Sequence, residues 1–166
     1  VLIQGDIRDP HDLDQAFASH KIDAVIHFAG LKAVGESQQI PLSYFDHNIA
    51  GSIQLAQAME RAGVFNLVFS SSATVYGDKN SSPYQEDMTL GMPNNNYGYT
   101  KLIVEQLLEK LAIADSHWSI ALLRYFNPVG AHKSGRIGED PLGIPNNLMP
   151  YLTQVAVGRR EKFSIF

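Results

Sequence analysis

The chain carries the sequence Phe69-Ser70-Ser71-Ser72-Ala73-Thr74-Val75-Tyr76-Gly77, in which an apolar run ends in three consecutive serines. This pattern predicts a buried strand whose carboxyl end presents hydroxyl groups. Further along, Tyr97 and Lys101 stand four residues apart, so on a helix both side chains lie on one face. An ammonium near a phenol favours the phenolate, so we expect Lys101 to lower the pKa of Tyr97 from its usual ~10. Together the motifs predict a proton shuttle at Tyr97, with Ser72 holding the reacting oxygen of a substrate.

Strands and helices are predicted to alternate on both sides of this segment. Strands are predicted at residues 1–5, 23–28, 66–71 and 119–125, with a further strand opening at 163–166. A short helix is predicted to begin at Asp9 and Pro10. Further helices are predicted at residues 41–62, 97–114 and 146–157. The strands at 24–26 and 120–123 are apolar on both faces, as in parallel sheets that are covered on both sides. The alternation predicts an α/β fold with a doubly wound, Rossmann-type parallel sheet, which binds ligands beyond the carboxyl ends of its strands.

The glycine-rich loop that usually opens such a sheet is not found in this sequence. In such folds a Gly-x-x-Gly-x-x-Gly loop places a pyrophosphate at a helix N-terminus. No such loop precedes Val1 in the sequence shown. We therefore expect that the sequence shown lacks the first βα unit and is an internal segment of a longer protein. A strand and this glycine turn are expected upstream.

Composition narrows the function classes. The 166 residues are 45% hydrophobic and 18% charged, as in an ordinary globular domain, and the formal charge of -4 argues against a nucleic-acid partner. There is no cysteine, hence no disulfide or thiol nucleophile, and Glu139-Asp140 has no histidine at metal-ligand spacing, so no metal site is expected. No run of 18 apolar residues and no export signal is visible, so we expect no membrane span and a cytoplasmic location.

Several motifs carry a family resemblance. They are Gly5-Asp6-Ile7, His27-Phe28-Ala29-Gly30-Leu31-Lys32-Ala33-Val34-Gly35-Glu36-Ser37, the serine motif, Leu123-Arg124-Tyr125-Phe126-Asn127-Pro128-Val129-Gly130-Ala131-His132 and Gly143-Ile144-Pro145-Asn146-Asn147-Leu148-Met149-Pro150-Tyr151. With these motifs the whole chain resembles the extended short-chain dehydrogenases/reductases, and within them the UDP-glucose 4-epimerases. The serine and Tyr-x-x-x-Lys motifs indicate only the superfamily, whereas the Phe-Ala-Gly-Leu-Lys and Arg-Tyr-Phe-Asn-Pro blocks favour an epimerase.

The resemblance implies a function and an assembly. It implies interconversion of UDP-galactose and UDP-glucose through a transient 4-keto sugar, with tightly bound NAD taking and returning a hydride. Residues 1–145 would then be an incomplete NAD-binding domain, and residues 146–166 would begin the UDP-sugar-binding region. It also implies a homodimer built on the two long helices at 41–62 and 97–114.

The resemblance assigns the site residue by residue. Tyr97 is implied as general base and acid, Lys101 as its partner on the nicotinamide ribose, and Ser72 as the holder of the reacting oxygen. The implied cofactor residues are Asp6, Ile7, Phe28, Ala29, Gly30, Lys32, Asn48, Ser70, Ser72, Tyr97, Lys101, Tyr125 and Phe126. The implied substrate residues are Ser72, Thr74, Tyr97, Asn127, Asn147, Leu148, Ile165 and Phe166. His47 stands where the family often has Asn.

Other interpretations stay open from the residues alone. Asp6 is also consistent with a plain turn or cap residue, and Lys32 with a solvated lysine in a loop. Phe126 is also consistent with a core residue, and Asn127 with a turn residue before proline. A nucleotide-sugar dehydratase or decarboxylase would share Tyr97 and Lys101. Dehydratases usually have acidic residues next to the threonine of the serine motif, and here Ala73 and Val75 flank it. The remaining alternative is a non-catalytic, truncated segment, and the 166 residues by themselves are expected to be inactive.

Overall fold

A computed structural model describes residues 1–145 and 147–163. Three parallel strands form its sheet in the order β1-β2-β3, with β1 at Val25–His27, β2 at Asn66–Ser72 and β3 at Ser119–Tyr125. The register pairs His27 with Phe69, and Ser72 with Tyr125. All three strands therefore end at one edge of the sheet, where the sequence places the serine motif. The parallel sheet with flanking helices confirms the predicted fold class.

The first helix forms as predicted, but the first strand does not. Helix α1 is Pro10–Ser19, and the Asp9 side chain caps it by accepting a hydrogen bond from the main-chain nitrogen of His11 at 2.8 Å. Pro10 occupies the first turn, where its missing N–H costs nothing. Residues 1–5 pair with no strand, and the strand expected there was wrong. Apolar residues alone do not make a strand, because a strand also needs a hydrogen-bonded neighbour.

The helix expected at 41–62 is divided into three parts. They are α3 at Pro41–Tyr44, a π-helical segment at Phe45–Ala50 and α4 at Gly51–Ala62. Gly63 ends α4 in the left-handed conformation with φ 69°, as the sequence predicted. A short helix, α2 at Val34–Gln39, precedes them and was not predicted. π-helical turns occur frequently at functional sites, and this one carries Asn48.

The longest helix of the described residues follows the serine motif after an irregular segment at residues 77–95. After β2, a 3₁₀ turn at Ala73–Tyr76 ends the strand. Helix α5 follows at Asn96–Ala114, where the Asn95 side chain caps it by accepting from the nitrogen of Gly98 at 2.8 Å. Tyr97 therefore stands in the first turn of α5, and Lys101 stands one turn later.

The core lies on one face of the sheet. It is formed by Leu13 of α1, the α4 residues Leu55, Ala56, Ala58 and Met59, Val64, the β2 residues Leu67 and Phe69, the α5 residues Val104 and Leu108, and Trp118. On the other face Ile26 is 62% exposed and Leu123 is 40% exposed. Both faces were expected to be covered, and the core formed by the described residues covers one of them.

The chain divides into two compact units, Val1–Tyr125 and Phe126–Phe166. The first unit contains the sheet and helices α1 to α5. The second contains the Gly/Pro-rich loop after β3 and α6 at Leu148–Ala156, close to the helix predicted at 146–157. The further strand predicted at 163–166 lies almost entirely outside the described residues. The functional boundary predicted between residues 145 and 146 stays a prediction.

Candidate active site

Ser72, Tyr97 and Lys101 meet at the carboxyl end of β2. The phenol of Tyr97 lies near Ser72, close enough for Ser72 to favour the ionised phenol. The Thr74 hydroxyl donates to Ser72 Oγ at 3.0 Å, so Ser72 is held from a second side. The Lys101 ammonium lies 5.8 Å from the centre of the Tyr97 ring, and only 6% of this lysine is exposed. The structure thus brings together the three residues that the sequence predicted to be catalytic.

The electrostatics of Tyr97 differ from the expectation. Burial raises the pKa of Tyr97 above its ordinary value of 10.0, and Ser72 opposes this only in part. Burial also lowers the pKa of Lys101 to about 8. The sequence argument was wrong in direction because it counted the attraction between the two groups and omitted the cost of removing both from water.

Three consecutive serines of β2 contact three residues of α5 that are four positions apart. Ser72 lies near the phenol of Tyr97, the Ser70 carbonyl oxygen accepts from Lys101 Nζ at 2.8 Å, and the Ser71 hydroxyl donates to the Glu105 carboxylate. Positions 97, 101 and 105 share one helix face. The end of β2 is therefore fastened to two successive turns of α5.

Asn48 connects the loop after β1 to α5. Its Oδ1 accepts from the nitrogen of Leu31 at 2.8 Å, and its Nδ2 donates to the Leu31 carbonyl and to Thr100 Oγ1, each at 3.0 Å. Gly30 lies against this amide with φ 152°, and a Cβ there would stand 2.9 Å from Asn48 Oδ1. The side-chain amide of Asn48 is therefore engaged with protein groups. The implied cofactor role of Asn48 stays a prediction.

Asp6 and Ile7 follow the unpaired first residues of the chain. The Arg8 guanidinium donates to the Asp6 carboxylate, with Nη2 at 2.5 Å from Oδ2, and holds the pKa of Asp6 well below its usual range. A Cβ on Gly51 would lie 2.7 Å from Ile7 Cδ1, so the absent side chain of Gly51 makes room for Ile7. The exposure of Asp6 is intermediate, which leaves its carboxylate partly open to a ligand.

The other predicted residues of the first unit lie at the same edge of the sheet. Phe28, Ala29, Gly30 and Lys32 follow β1 and are all exposed. Tyr125 ends β3 opposite Ser72 and is partly exposed. In the second unit, Phe126 and Asn127 are exposed, Asn147 donates to Glu139 Oε1 at 3.2 Å, and Leu148 begins α6. Ile165 and Phe166 lie outside the described residues.

Sequence reasoning gave no role to Glu105 and Arg124, which lie beside the site. Glu105 is fully buried in α5, and Arg124 stands in β3 next to the serine motif. Two signals were available: Glu105 is four residues beyond Lys101 on the same helix face, and it interrupts an apolar stripe. A lone acid within such a stripe indicates a buried partner.

The residues of the first unit fit NAD. The donor set includes the Lys101 ammonium, which can donate three hydrogen bonds and gives one of them to Ser70. The loop at Phe28, Ala29 and Gly30 exposes its backbone, and Gly30 has no side chain to obstruct a close approach. Among residues 1–145 and 147–163 no cluster of three His, Asp or Glu is arranged to hold a metal ion. No helix within these ranges is long and apolar enough to cross a membrane.

Comparisons with known proteins agree with this geometry. Residues 1–163 match the family model described as the NAD dependent epimerase/dehydratase family. A UDP-glucose 4-epimerase of Yersinia pestis is 59% identical over 165 residues, which are 99% of this chain and 49% of that protein. The chain therefore spans about half the length of the curated relatives it matches.

Solved structures of UDP-glucose 4-epimerases are also similar to this chain. One is a UDP-glucose 4-epimerase of Bifidobacterium longum in complex with NAD⁺ and UDP, with TM-score 0.91, 50% identity, and coverage of 96% of this chain and 48% of that one. Another is a UDP-glucose-4-epimerase of Stenotrophomonas maltophila with bound NAD and formylated UDP-arabinopyranose, with TM-score 0.91, 56% identity, and coverage of 98% and 48%. The family match spans nearly the whole chain, and we conclude that the chain belongs to the NAD dependent epimerase/dehydratase family.

Proposed function

We propose that the full-length protein containing this segment interconverts UDP-galactose and UDP-glucose by epimerisation at C4, with tightly bound NAD. The observation that carries the proposal is the contact between Ser72 and Tyr97 on the helix face that also bears Lys101. Its support from relatives is the similarity to epimerases whose structures contain NAD together with UDP or a UDP-sugar derivative.

The protein groups divide the proton chemistry between them. When bound, NAD would supply a hydride acceptor and donor and a positively charged ring. Tyr97 takes the proton of the 4-hydroxyl and later returns it, while Ser72 holds the same oxygen by a hydrogen bond. Because burial raises the pKa of Tyr97, the phenol becomes a useful base only with a further positive charge beside it.

The first unit would hold the cofactor along the edge of its sheet. We propose that Asp6 and Ile7 lie along the adenine, and that the loop from Phe28 to Lys32 lines the dinucleotide. Lys32 is exposed, so its ammonium is available to a phosphate. One N–H of the Lys101 ammonium bonds to the Ser70 carbonyl, and the other two would donate to ribose hydroxyls. Ser70 would border this ribose site.

The remaining roles are proposed on the resemblance. They are Asn48, Tyr125 and Phe126 for the cofactor, and Thr74, Asn127, Asn147, Leu148, Ile165 and Phe166 for the UDP-sugar. With them goes the proposed division into an NAD-binding region at 1–145 and the beginning of a UDP-sugar region at 146–166. Thr74 has direct structural support, because its hydroxyl already contacts Ser72 Oγ.

We further propose that the full-length protein is a homodimer built on the two long helical segments predicted at 41–62 and 97–114, which contain α4 and most of α5. A shallow apolar groove runs between them, lined by Ile53, Ala56, Gln57, Glu60, Leu107, Leu111 and Trp118. Trp118 Nε1 is buried in this region and has no hydrogen-bond partner among the described residues. Sedimentation velocity of the full-length protein tests this proposal, and a monomer at micromolar concentration would contradict it. The cytoplasmic location stays a prediction, which cell fractionation tests.

The function is tested with the purified full-length protein and no added cofactor. We expect bound NAD after gel filtration and conversion of UDP-galactose to UDP-glucose, followed by NMR of the anomeric protons. A dehydratase would instead release a 4-keto-6-deoxy sugar, and a decarboxylase would release carbon dioxide from a UDP-uronic acid. Either product, or NAD-loaded protein that leaves UDP-galactose unchanged, would contradict the proposal.

A further inference from the structure

A buried ion pair joins β3 to α5 beside the proposed catalytic residues. Arg124 Nε lies 3.1 Å and Arg124 Nη2 lies 3.0 Å from Glu105 Oε2. The Glu105 side chain is 0% exposed and the Arg124 side chain 14% exposed. The Ser71 hydroxyl donates to the other carboxylate oxygen, Oε1. Glu105 thus accepts from two neighbouring strands at once.

The sheet register creates this donor pair. Ser71 and Arg124 are Cα partners across β2 and β3, so their side chains leave the sheet on the same face. Glu105 reaches that face because it stands two helical turns after Tyr97 and one turn after Lys101. The carboxylate therefore links α5 to both β2 and β3.

Stability alone is a weak reason for this arrangement. Burying two charges is costly, and apolar residues of similar volume often replace such a pair without loss of stability. An apolar pair does not fix the relative orientation of its two side chains. A carboxylate held by a guanidinium fork and a hydroxyl has one preferred position. Along β2, Ser71 stands between Ser72, which lies near Tyr97, and Ser70, which accepts from Lys101.

We propose that Glu105, held by Arg124 and Ser71, is a positioning residue that sets Tyr97 and Lys101 against the end of β2 for proton transfer. This inference rests on the proposed function of the site. Glu105 touches neither substrate nor cofactor, and it acts through the placement of α5. Misplacing a catalytic group by about 1 Å can cost ~100-fold in rate, so a modest shift of α5 is enough.

The test uses the full-length, NAD-loaded protein and the double variant Glu105→Met/Arg124→Met, which removes both charges and so leaves no unpaired buried charge. We expect it to fold and retain NAD, but to lose about 10- to 100-fold in kcat per bound NAD, with KM for UDP-galactose within about threefold. The matched control is Asp14→Met/Arg61→Met, which removes the exposed pair Asp14–Arg61 and is expected to keep kcat.

A second variant and a second measurement keep the inference testable if the double variant does not fold. Ser71→Ala removes one hydroxyl and leaves the ion pair, and we expect a loss of kcat of about 3- to 10-fold. The second measurement is the ionisation of Tyr97, read as the difference in phenolate absorbance against the same protein carrying Tyr97→Phe. Ser72 lowers the pKa of Tyr97. If the variants loosen the contact between Ser72 and Tyr97, the ionisation of Tyr97 should move to higher pH.

The positioning role is overturned if the variants that fold keep kcat per bound NAD within about twofold of the parent and leave the Tyr97 ionisation unchanged. It is equally overturned if activity falls only in proportion to the loss of folded, NAD-loaded protein. If the parent itself converts no UDP-galactose, the proposed function fails, and the Tyr97 ionisation still decides whether Glu105 positions the phenol.

Discussion

The Lys101 ammonium donates a hydrogen bond of 2.8 Å to the main-chain carbonyl of Ser70 and lies over the ring of Tyr97, 5.8 Å from the ring centre. The lysine is thereby fixed beneath the serine motif, with its head against the ring of Phe69 at 4.8 Å from the ring centre. Burying an ammonium that has a single hydrogen-bond acceptor among the described residues is costly, and this cost lowers the pKa of Lys101 to about 8.

Replacement of Lys101 should therefore stabilise the NAD-free protein while impairing its function. The folded state holds the lysine with a pKa of about 8 against 10.5 unfolded, so its contribution to stability is lost as the pH falls from 10.5 to 8. We expect Lys101→Met to raise the free energy of unfolding of the NAD-free protein by about 1–3 kcal/mol at pH 7, and by much less above pH 10. Urea unfolding at both pH values measures this, and equal effects at both would contradict it.

The same substitution should weaken NAD retention and turnover in the loaded protein. The ammonium is proposed to serve both the ribose and the electrostatics of Tyr97, so one change removes both contributions. The measurement is the NAD content after gel filtration together with kcat. The exposed Lys21→Met is the control and should change neither.

His27 should make the protein sensitive to acid. It is 4% exposed, its Nε2 lies 2.9 Å from Ser52 Oγ, and burial lowers its pKa to about 4. The folded pKa is depressed, so its contribution is complete above pH 6.5 and is lost as the pH falls to 4. We expect His27→Gln to reduce the drop in unfolding free energy between pH 6.5 and 4 by about 1–3 kcal/mol. The exposed His11→Gln serves as control, and identical acid profiles for parent and His27→Gln would refute the prediction.

Gly98 should be intolerant of a side chain. A Cβ there would lie 2.8 Å from Pro93 Cβ and 3.0 Å from Thr74 Oγ1, so an alanine would push the first turn of α5 away from the 3₁₀ turn. Because Tyr97 is the preceding residue, we expect Gly98→Ala to lower kcat by at least about tenfold. Gly35→Ala is the matched control, since a Cβ there meets nothing within 4 Å. Wild-type kcat for Gly98→Ala would show that this contact is not needed.

Much of this architecture could be predicted because its signals are local. The Asp9 cap, the Gly63 stop and the apolar strands depend on neighbouring residues, and the Tyr97–Lys101 spacing depends only on helical periodicity. The position of Ser72 at a candidate ligand site also follows from general rules, since parallel strands end at one edge and ligand sites lie there.

What could not be predicted depends on burial and on distant partners. The direction of the Tyr97 pKa depends on how deeply the phenol is enclosed, which the spacing of two residues does not reveal. The π-helical segment at Phe45–Ala50 arises where Asn48 bonds to Leu31 and Thr100, residues far apart in sequence. The Glu105–Arg124 pair likewise requires the strand register, which sets Arg124 beside Ser71.

Ser72 should affect turnover more than cofactor binding. Its hydroxyl contacts Tyr97 and is proposed to hold the reacting oxygen, whereas Lys101 is the proposed anchor of the ribose. We expect Ser72→Ala to lower kcat by about 10- to 100-fold while NAD stays bound. Ser119→Ala, at the exposed start of β3, is the control. Loss of NAD with unchanged kcat in the remaining loaded fraction would contradict the proposed role.

The most direct test is epimerisation by Tyr97→Phe in the full-length, NAD-loaded protein. Phenylalanine keeps the ring and its packing but removes the group that is proposed to move the proton. General acid–base catalysis contributes about 10²–10⁴-fold, so kcat for UDP-galactose should fall at least about 100-fold while NAD stays bound. If Tyr97→Phe retains NAD and epimerises within a few-fold of the parent rate, Tyr97 is not the proton shuttle and the proposed mechanism is wrong.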